Sequence, residues 1–182
     1  MISALIIIGC ISCKNKKHLD STKAYFSIVD YLRTEIKRMD SLPLHFTKIV
    51  RIDSTSDTIA ITKDEFHKYA KEFLDIPDIA SPDNMDDYTE TNDFDDILNN
   101  VLLIYTAKKE DAEVRNETVM MQPDDQGDTH VKTLLVHTLD AKKDPTTEKE
   151  MAWHINERFQ IVTKTSKPNQ SEKISTTIIN WE

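Results

Sequence analysis

The sequence predicts an α+β fold in which two helices pack on one face of a curved antiparallel sheet of about six to seven strands. Two segments repeat apolar residues at three- and four-residue steps, which is typical of amphipathic helices. Seven other segments are rich in β-branched and aromatic residues, and short connections separate most of them. Because short connections join antiparallel neighbours, the two helices cannot serve as crossovers for most of the sheet.

The first helix is predicted over residues 22–39. Asp20 or Ser21 is placed to cap its start, and Pro43 marks its end. Its apolar side recurs at helical spacing, through Tyr25, Ile28, Val29, Leu32, Ile36 and Met39.

A hairpin and a second helix are predicted next. Residues 46–52 and 58–61 are rich in β-branched residues, and a polar turn separates them. Thr62 and Glu65 form a capping box, so the second helix begins there and runs to about Leu74.

The second half of the chain is predicted to contain five strands. The acidic stretch before them is predicted to be a loop with a helical turn around residues 94–98. Residues 156–158 interrupt the alternation of the fourth strand and predict a bulge. The strands are Val101–Thr106, Val114–Met121, Val131–Leu139, Met151–Lys164 and Lys173–Trp181.

Glycine content excludes several kinds of site. The 182 residues include only two glycines, Gly9 and Gly127. Phosphate-binding loops, dinucleotide fingerprints and nucleophile elbows all need glycine where the backbone turns sharply or approaches a ligand. We therefore expect no nucleotide, no organic cofactor and no common nucleophilic serine site.

Negative charge is concentrated in one segment. Residues 75–96 hold nine acids and no Lys or Arg, so the remaining 23 acids balance the 23 bases of the chain. A basic face is absent, which disfavours nucleic acid as a partner. Asp83, Asp86 and Asp87 are weak candidates for calcium ligands, but the segment lacks calcium-loop spacing and its turn glycine. A solvated loop is the simpler interpretation, and a docking site for a basic partner is the alternative.

The first 13 residues are typical of a bacterial lipoprotein signal peptide. An apolar run leads into Cys10 and Cys13, and a polar tether at residues 14–19 follows. We predict that Cys13 is the acylated residue, with Cys10 as the alternative, because cleavage there lengthens the apolar run. No base precedes that run, so we expect the natural start to lie upstream.

Other interpretations of this segment are weaker. The apolar run is too short for a transmembrane helix, which needs roughly 20 apolar residues. The Cys-x-x-Cys spacing of Cys10 and Cys13 also occurs in redox and zinc sites. A structural zinc site has four ligands, however, and the chain has no other cysteine. A diacyl-type anchor with palmitate-like chains would attach the protein stably to a membrane. The domain boundaries predicted are therefore 1–13 for the signal, 14–19 for the tether and 20–182 for one α+β domain.

Two histidines lie on predicted strands. His137 and His154 could form a base–carboxylate pair with Asp140 or Glu157 across the sheet. Surface or half-buried strand histidines without such a role are the simpler interpretation.

Three aromatic residues near the C-terminus are candidates for an apolar cleft. Trp153, Phe159 and Trp181 could line a ligand site between sheet and helices. The same residues at these positions also suit a plain core.

A resemblance to a known family covers most of residues 20–182. Residues 151–163 contain Trp-His-Ile-Asn-Glu-Arg-Phe-Gln-Ile, and residues 176–182 end in Asn-Trp-Glu. This pattern resembles a family of Bacteroidetes lipoproteins, which share a Trp-x-(Val/Ile)-(Asp/Asn)-x-x-Phe-Gln-(Ile/Val) strand. The resemblance implies a lipid-anchored envelope protein and brings no catalytic residues. The tether contains three lysines, Lys14, Lys16 and Lys17. Their positive charge favours an anchor in the outer membrane with the protein facing the periplasm.

The sequence as a whole therefore predicts a lipid-anchored, non-enzymatic protein of the cell envelope. Its predicted role is a binding or scaffold module for a partner protein or an apolar ligand. The alternatives are a small hydrolase or metal-dependent enzyme using His137 and His154, and a structural lipoprotein.

Overall fold

The computed structural model describes residues 24–53, 55–142, 144–168 and 170–182. In these ranges, two α-helices and nine strands follow one another, with a short 3-10 helix at Met85–Asp87. The helices are α1 (Ile28–Asp40) and α2 (Lys63–Leu74). The strands are β1 (Phe46–Ile52), β2 (Thr55–Ile61), β3 (Tyr88–Asp95), β4 (Asn100–Ala107), β5 (Val114–Pro123), β6 (Thr129–Asp140), β7 (Thr146–His154), β8 (Arg158–Ser166) and β9 (Lys173–Trp181).

All nine strands form one antiparallel sheet in the order β2-β1-β9-β8-β7-β6-β5-β4-β3. Strands β3 to β9 are a meander, in which each strand pairs with the next one along the chain. The β1–β2 hairpin joins this meander because β1 pairs with β9, from Phe46 opposite Trp181 to Ile52 opposite Ser175. The α+β class is confirmed, and the predicted count of six to seven strands is wrong.

The two additional strands have separate physical origins. One is β3, which occupies the eight residues Tyr88–Asp95 of the acidic segment that the sequence predicts to be a loop. The other arises because residues 151–164 form two strands, β7 and β8, instead of one. The loop of residues 155–157 turns the chain, with Asn156 in the left-handed region at φ 64°. Asn tolerates this conformation better than most residues, so the interruption that predicted a bulge is a hairpin turn.

The start of the first helix also differs from the prediction. Ala24–Ser27 is not helical, and Ser27 is the N-cap, where its Oγ accepts a hydrogen bond from the amide of Asp30 at 3.0 Å. The predicted caps lie outside the described residues. The capping box of α2 is confirmed, because Thr62 and Glu65 make both reciprocal bonds.

Both helices cover the same face of the sheet. In α2, Phe66 contacts Phe46, Trp153, Phe159 and Trp181, which lie on four adjacent strands. Tyr25, just before α1, contacts the Tyr105 ring on β4 with 4.9 Å between centroids. Strand pairing places Tyr105 and Trp153 on the same side of the sheet. The core therefore forms one layer between the helices and this face.

One acid lies inside this layer. Glu117 on β5 is 1% exposed, and neither of its carboxylate oxygens has a hydrogen-bond partner in the described part of the chain. It lies opposite Tyr105 on one side and Val136 on the other. Burial, with a smaller contribution from the charge of Asp78, raises the pKa of Glu117 to about 8. At neutral pH the folded protein therefore holds this carboxyl largely protonated.

We expect Phe66→Ala to destabilise the protein by about 3–5 kcal/mol, because the deletion leaves a cavity where four strands meet the helix. Urea denaturation followed by tryptophan fluorescence measures this directly, since both tryptophans lie in the same cluster. Ile97→Ala is the control, as this side chain is 93% exposed and its loss should change stability by less than about 0.5 kcal/mol. Equal effects of the two substitutions would contradict the assigned core.

Glu117 should make stability depend on pH. Its pKa in the folded state lies above its ordinary value of 4.5, so the folded protein binds more protons than the unfolded chain between these two values. The free energy of unfolding should therefore fall as pH rises through this window, by up to about 1.4 kcal/mol per pH unit. In the Glu117→Gln variant, the melting temperature should fall less steeply as pH rises through this window. Glu110→Gln, at an exposed position, should leave the wild-type decline intact, and a decline unchanged in both variants would contradict the assignment.

Candidate functional site

The acidic segment forms one border of the sheet. We call residues 83–98 the acidic edge: it comprises the 3-10 helix, strand β3 and the turn that leads into β4. Among the described residues, strand β3 pairs only with β4, and its other side has no neighbouring strand there. An edge strand of this kind presents unpaired backbone groups that another chain can pair with.

The backbone groups that point outward follow from the pairing. The amide of Lys108 donates to the carbonyl oxygen of Asp87 at 2.8 Å, which fixes Asp87 as a residue whose backbone faces β4. Alternation along the strand then directs the backbone of Glu90, Asn92 and Phe94 away from β4. The outward carbonyl of Tyr88 accepts a hydrogen bond from the Tyr25 hydroxyl at 2.8 Å, so the start of the strand is covered.

The middle of β3 has fewer partners. The Phe94 amide donates to the side chain of Asp93 at 2.8 Å. Within the described residues, the backbone groups of Glu90 and Asn92 that face outward have no protein partner. The strand therefore offers a short open stretch at residues 90–94.

The charges of the acidic edge are poorly compensated. Asp87 pairs with Lys109 at 2.7 Å, and the Lys108 ammonium donates to the carbonyl oxygen of Asp86 at 2.6 Å. Among the described residues no basic side chain pairs with the other acids of the edge, Asp83, Glu90, Asp93, Asp95 and Asp96. The edge therefore carries negative charge that basic side chains of the described residues leave largely uncompensated.

Apolar side chains project from the same edge. Phe94 is 49% exposed, Ile97 93% and Leu98 54%. Asp95 fixes the turn beneath them, because its Oδ1 accepts from the amides of Ile97 and Leu98 at 2.9 and 3.0 Å. The edge thus combines open backbone, acidic side chains and exposed apolar groups.

The weak calcium candidates do not converge. Asp83, Asp86 and Asp87 lie at the start of the acidic edge, and Asp87 is held by Lys109. Their carboxylates do not form a ligand cluster; in the described ranges the group with metal-ligand proximity is another one, on strands β6 and β7.

The two histidines occupy neighbouring strands but different positions. His137 on β6 bonds to Glu148 on β7 at 2.9 Å, so its carboxylate partner is neither Asp140 nor Glu157. His154 on β7 lies 3.2 Å from the hydroxyl of Thr133, and burial lowers the pKa of His154. The register separates the two histidines by four residue pairs, roughly 13 Å along the strands, so they do not share one site.

The aromatic candidates lie in the core. Trp153 and Phe159 are 0% exposed and their rings stack at 4.8 Å between centroids, with Trp181 against both. Phe73 closes the cluster from α2. The rings contact each other, as in the core interpretation of the sequence.

Two surface cavities have linings that mix charged and apolar side chains. One of about 300 Å³ lies between the end of α2 and strands β6 and β7, where Lys149 bonds to Glu72 at 2.8 Å. The other, of about 420 Å³, lies beside α1 and is lined partly by Arg38 and Glu35. The charged residues in both linings distinguish these cavities from the predominantly apolar pockets that bind apolar ligands.

Cys13 and Cys10 lie outside the described residues. No helix in the ranges that the structure describes is both long and apolar enough to cross a bilayer.

Sequence reasoning missed two features. Strand β3 was hidden by its acids, although Tyr88, Thr89 and Thr91 are good strand formers. The burial of Glu117 had no local signal, since its neighbours on β5 alternate only weakly.

Comparison with known proteins yields no family model, no curated protein and no solved structure that matches this chain.

Proposed function

We propose that this protein is a non-enzymatic binding module of the bacterial envelope, anchored by lipid at Cys13, that docks a basic extended segment of a partner protein on the acidic edge. The observation behind the proposal is the open stretch of β3, where unpaired backbone, uncompensated acids and exposed apolar side chains coincide. An extended segment that adds to the sheet as a tenth strand would satisfy the outward backbone groups of Glu90 and Asn92.

Charge decides which chains can pair with this edge. A second copy of the chain would bring Glu90, Asp93 and Asp95 against the same residues, and like charges directly opposite one another are destabilising. Acids on an edge strand therefore disfavour self-pairing. A segment that alternates basic and apolar residues meets both the acids and the exposed Phe94, and electrostatic attraction raises its rate of association.

The opposite edge does not offer the same combination. Strand β2 is also exposed, but its seven residues include a single acid, Asp57, and a single large exposed apolar residue, Ile59. The acidic edge is therefore the more specific surface of the two.

The anchor is supported by the sequence around Cys13 and by the resemblance to Bacteroidetes lipoproteins. The ten residues 14–23 reach at most about 35 Å between the cysteine and the described domain. Tyr25 bonds to the first residue of β3, so the chain enters the domain beside the acidic edge. An anchored protein would hold this edge close to the membrane.

The docking prediction uses a ten-residue peptide of alternating lysine and valine as the probe. We expect it to shift the amide resonances of residues 88–98 and to leave the rest of the sheet unchanged. Asn92→Pro should weaken binding at least about tenfold, because the substitution removes an outward donor without breaking the ladder to β4. A matching peptide of glutamate and valine should not bind, and added salt should weaken the lysine peptide.

Thr58→Pro is the matched control. The amide of His45 donates to Glu182 at 3.0 Å, which places the backbone of Phe46 towards β2, so Thr58 faces outward on the opposite edge. This variant should bind the peptide like the wild type. Equal losses in the two proline variants, or shifts outside the acidic edge, would contradict the docking proposal.

The anchor is tested by the intact mass of protein extracted from its native membrane. We expect a species that begins at Cys13 and bears added acyl mass, and we expect Cys13→Ala to abolish it. Cys10→Ala should still be processed. Retention of an unmodified N-terminal segment in the wild type would contradict lipid anchoring.

A further inference from the structure

Three potential metal ligands converge on the sheet face that the helices leave uncovered. His137 on β6 lies directly opposite Glu150 on β7, and Glu148 lies two residues before Glu150 on the same face. One ligand atom from each of the three lies within 4.8 Å of the others. The neighbours of His137 in β6, Val136 and Thr138, are buried on the helix side, which confirms that the histidine faces away from it.

The distances suit a metal ion with short bonds. The Nε2 atom of His137 lies 2.9 Å from Oε1 of Glu148 and 3.8 Å from Oε1 of Glu150. Zinc bonds to nitrogen and oxygen are about 2.0–2.2 Å long, so two ligands of a tetrahedral ion are roughly 3.4 Å apart. The two observed separations lie on either side of this value, and small side-chain rotations can equalise them.

Lys164 holds one of the carboxylates in place. Its ammonium group bonds to Oε2 of Glu148 at 3.1 Å, while Oε1 faces His137. Glu148 can therefore bind a metal through Oε1 and keep Lys164 on its other oxygen, as outer partners of metal ligands commonly do. Glu150 is 65% exposed and makes no other hydrogen bond or ion pair in the described part of the protein, so its carboxylate is available.

We propose that His137, Glu148 and Glu150 form a binding site for a divalent transition metal, with zinc as its best-fitting ion. One imidazole nitrogen and two carboxylate oxygens are ligands that zinc accepts, with water at the fourth position. Calcium fits poorly because it takes six to eight oxygen ligands. The two glutamates carry two negative charges against the single charge of Lys164, and a divalent cation balances the excess.

A cross-strand ion pair is the competing explanation, since His137 and Glu148 already bond to each other. Elsewhere in the protein, His67 on α2 and Asp40 on α1 form a histidine–carboxylate pair at 2.8 Å. Of the described histidines and acids, the three at the proposed site are the group with mutual metal-ligand proximity, and His67 is not in it. This difference allows the two explanations to be separated by experiment.

The test is calorimetric titration of zinc chloride into the metal-free full chain bearing Cys10→Ser and Cys13→Ser, so that thiolates do not compete for the metal. We expect one saturable site. Glu150→Gln and His137→Ala should each weaken it at least about tenfold, because each removes a ligand. Glu150→Gln changes an exposed side chain and should leave the melting temperature without zinc unchanged, so weakened binding there reports ligation and not unfolding.

His67→Ala is the matched control and should bind zinc like its parent. Asn92→Pro should also bind zinc normally, so that the metal site and the docking surface can fail separately. Absence of saturable zinc binding would overturn the proposal. Binding that Glu150→Gln leaves intact, or that His67→Ala reduces as much as His137→Ala, would overturn it as well.

Discussion

The packing of Phe66 against four strands is the constraint on which the rest of the structure depends. Its ring contacts side chains of β1, β9, β8 and β7. The packing of this one side chain of α2 is therefore complete only when the β1–β2 hairpin has joined the meander. Burial of such large rings contributes more than any hydrogen bond in the domain. Phe46 and Trp181 lie opposite each other under Phe66, which brings the first strand to the last. The β1–β2 hairpin and the meander form one continuous sheet because this cluster holds β1 against β9. These are the two paired strands that lie farthest apart in the chain.

The elements that the sequence predicts well are those with strong local signals. The capping box at Thr62 and the apolar steps of α2 are properties of a few neighbouring residues, and the helix forms as expected. At Asn156 the sequence predicts a bulge and the structure has a turn, since polar residues between two apolar runs are compatible with either. The pairing of strands decides between them. Trp153 on β7 lies directly opposite Phe159 on β8, so the three residues 155–157 form a hairpin loop.

The candidate sites show the same limit. The acids of residues 75–96 are evident from composition, but their effect depends on the strand register that turns the backbone of Glu90 and Asn92 outward. His137 was recognised as a strand histidine, whereas its true partners, Glu148 and Glu150, follow from a register that no local pattern fixes. Trp153 is a second example. An aromatic residue in a strand can belong to a core or line a cleft, and only the residues packed around it decide between these two roles. Sequence therefore identifies chemical groups, and the pairing of strands determines which of them meet.

The acids of β3 also explain how an open edge can persist in a folded protein. An uncovered strand with exposed Phe94 and Ile97 is a site at which chains aggregate, unless something opposes pairing between copies. Asp93, Asp95 and Asp96 supply that opposition, because two such edges repel each other. The repulsion depends on the partner's charge and vanishes for a basic strand, so protection against self-pairing and the proposed preference for a basic partner have the same physical origin. Screening by salt weakens both together, and an edge built in this way is therefore selective mainly at low and moderate ionic strength.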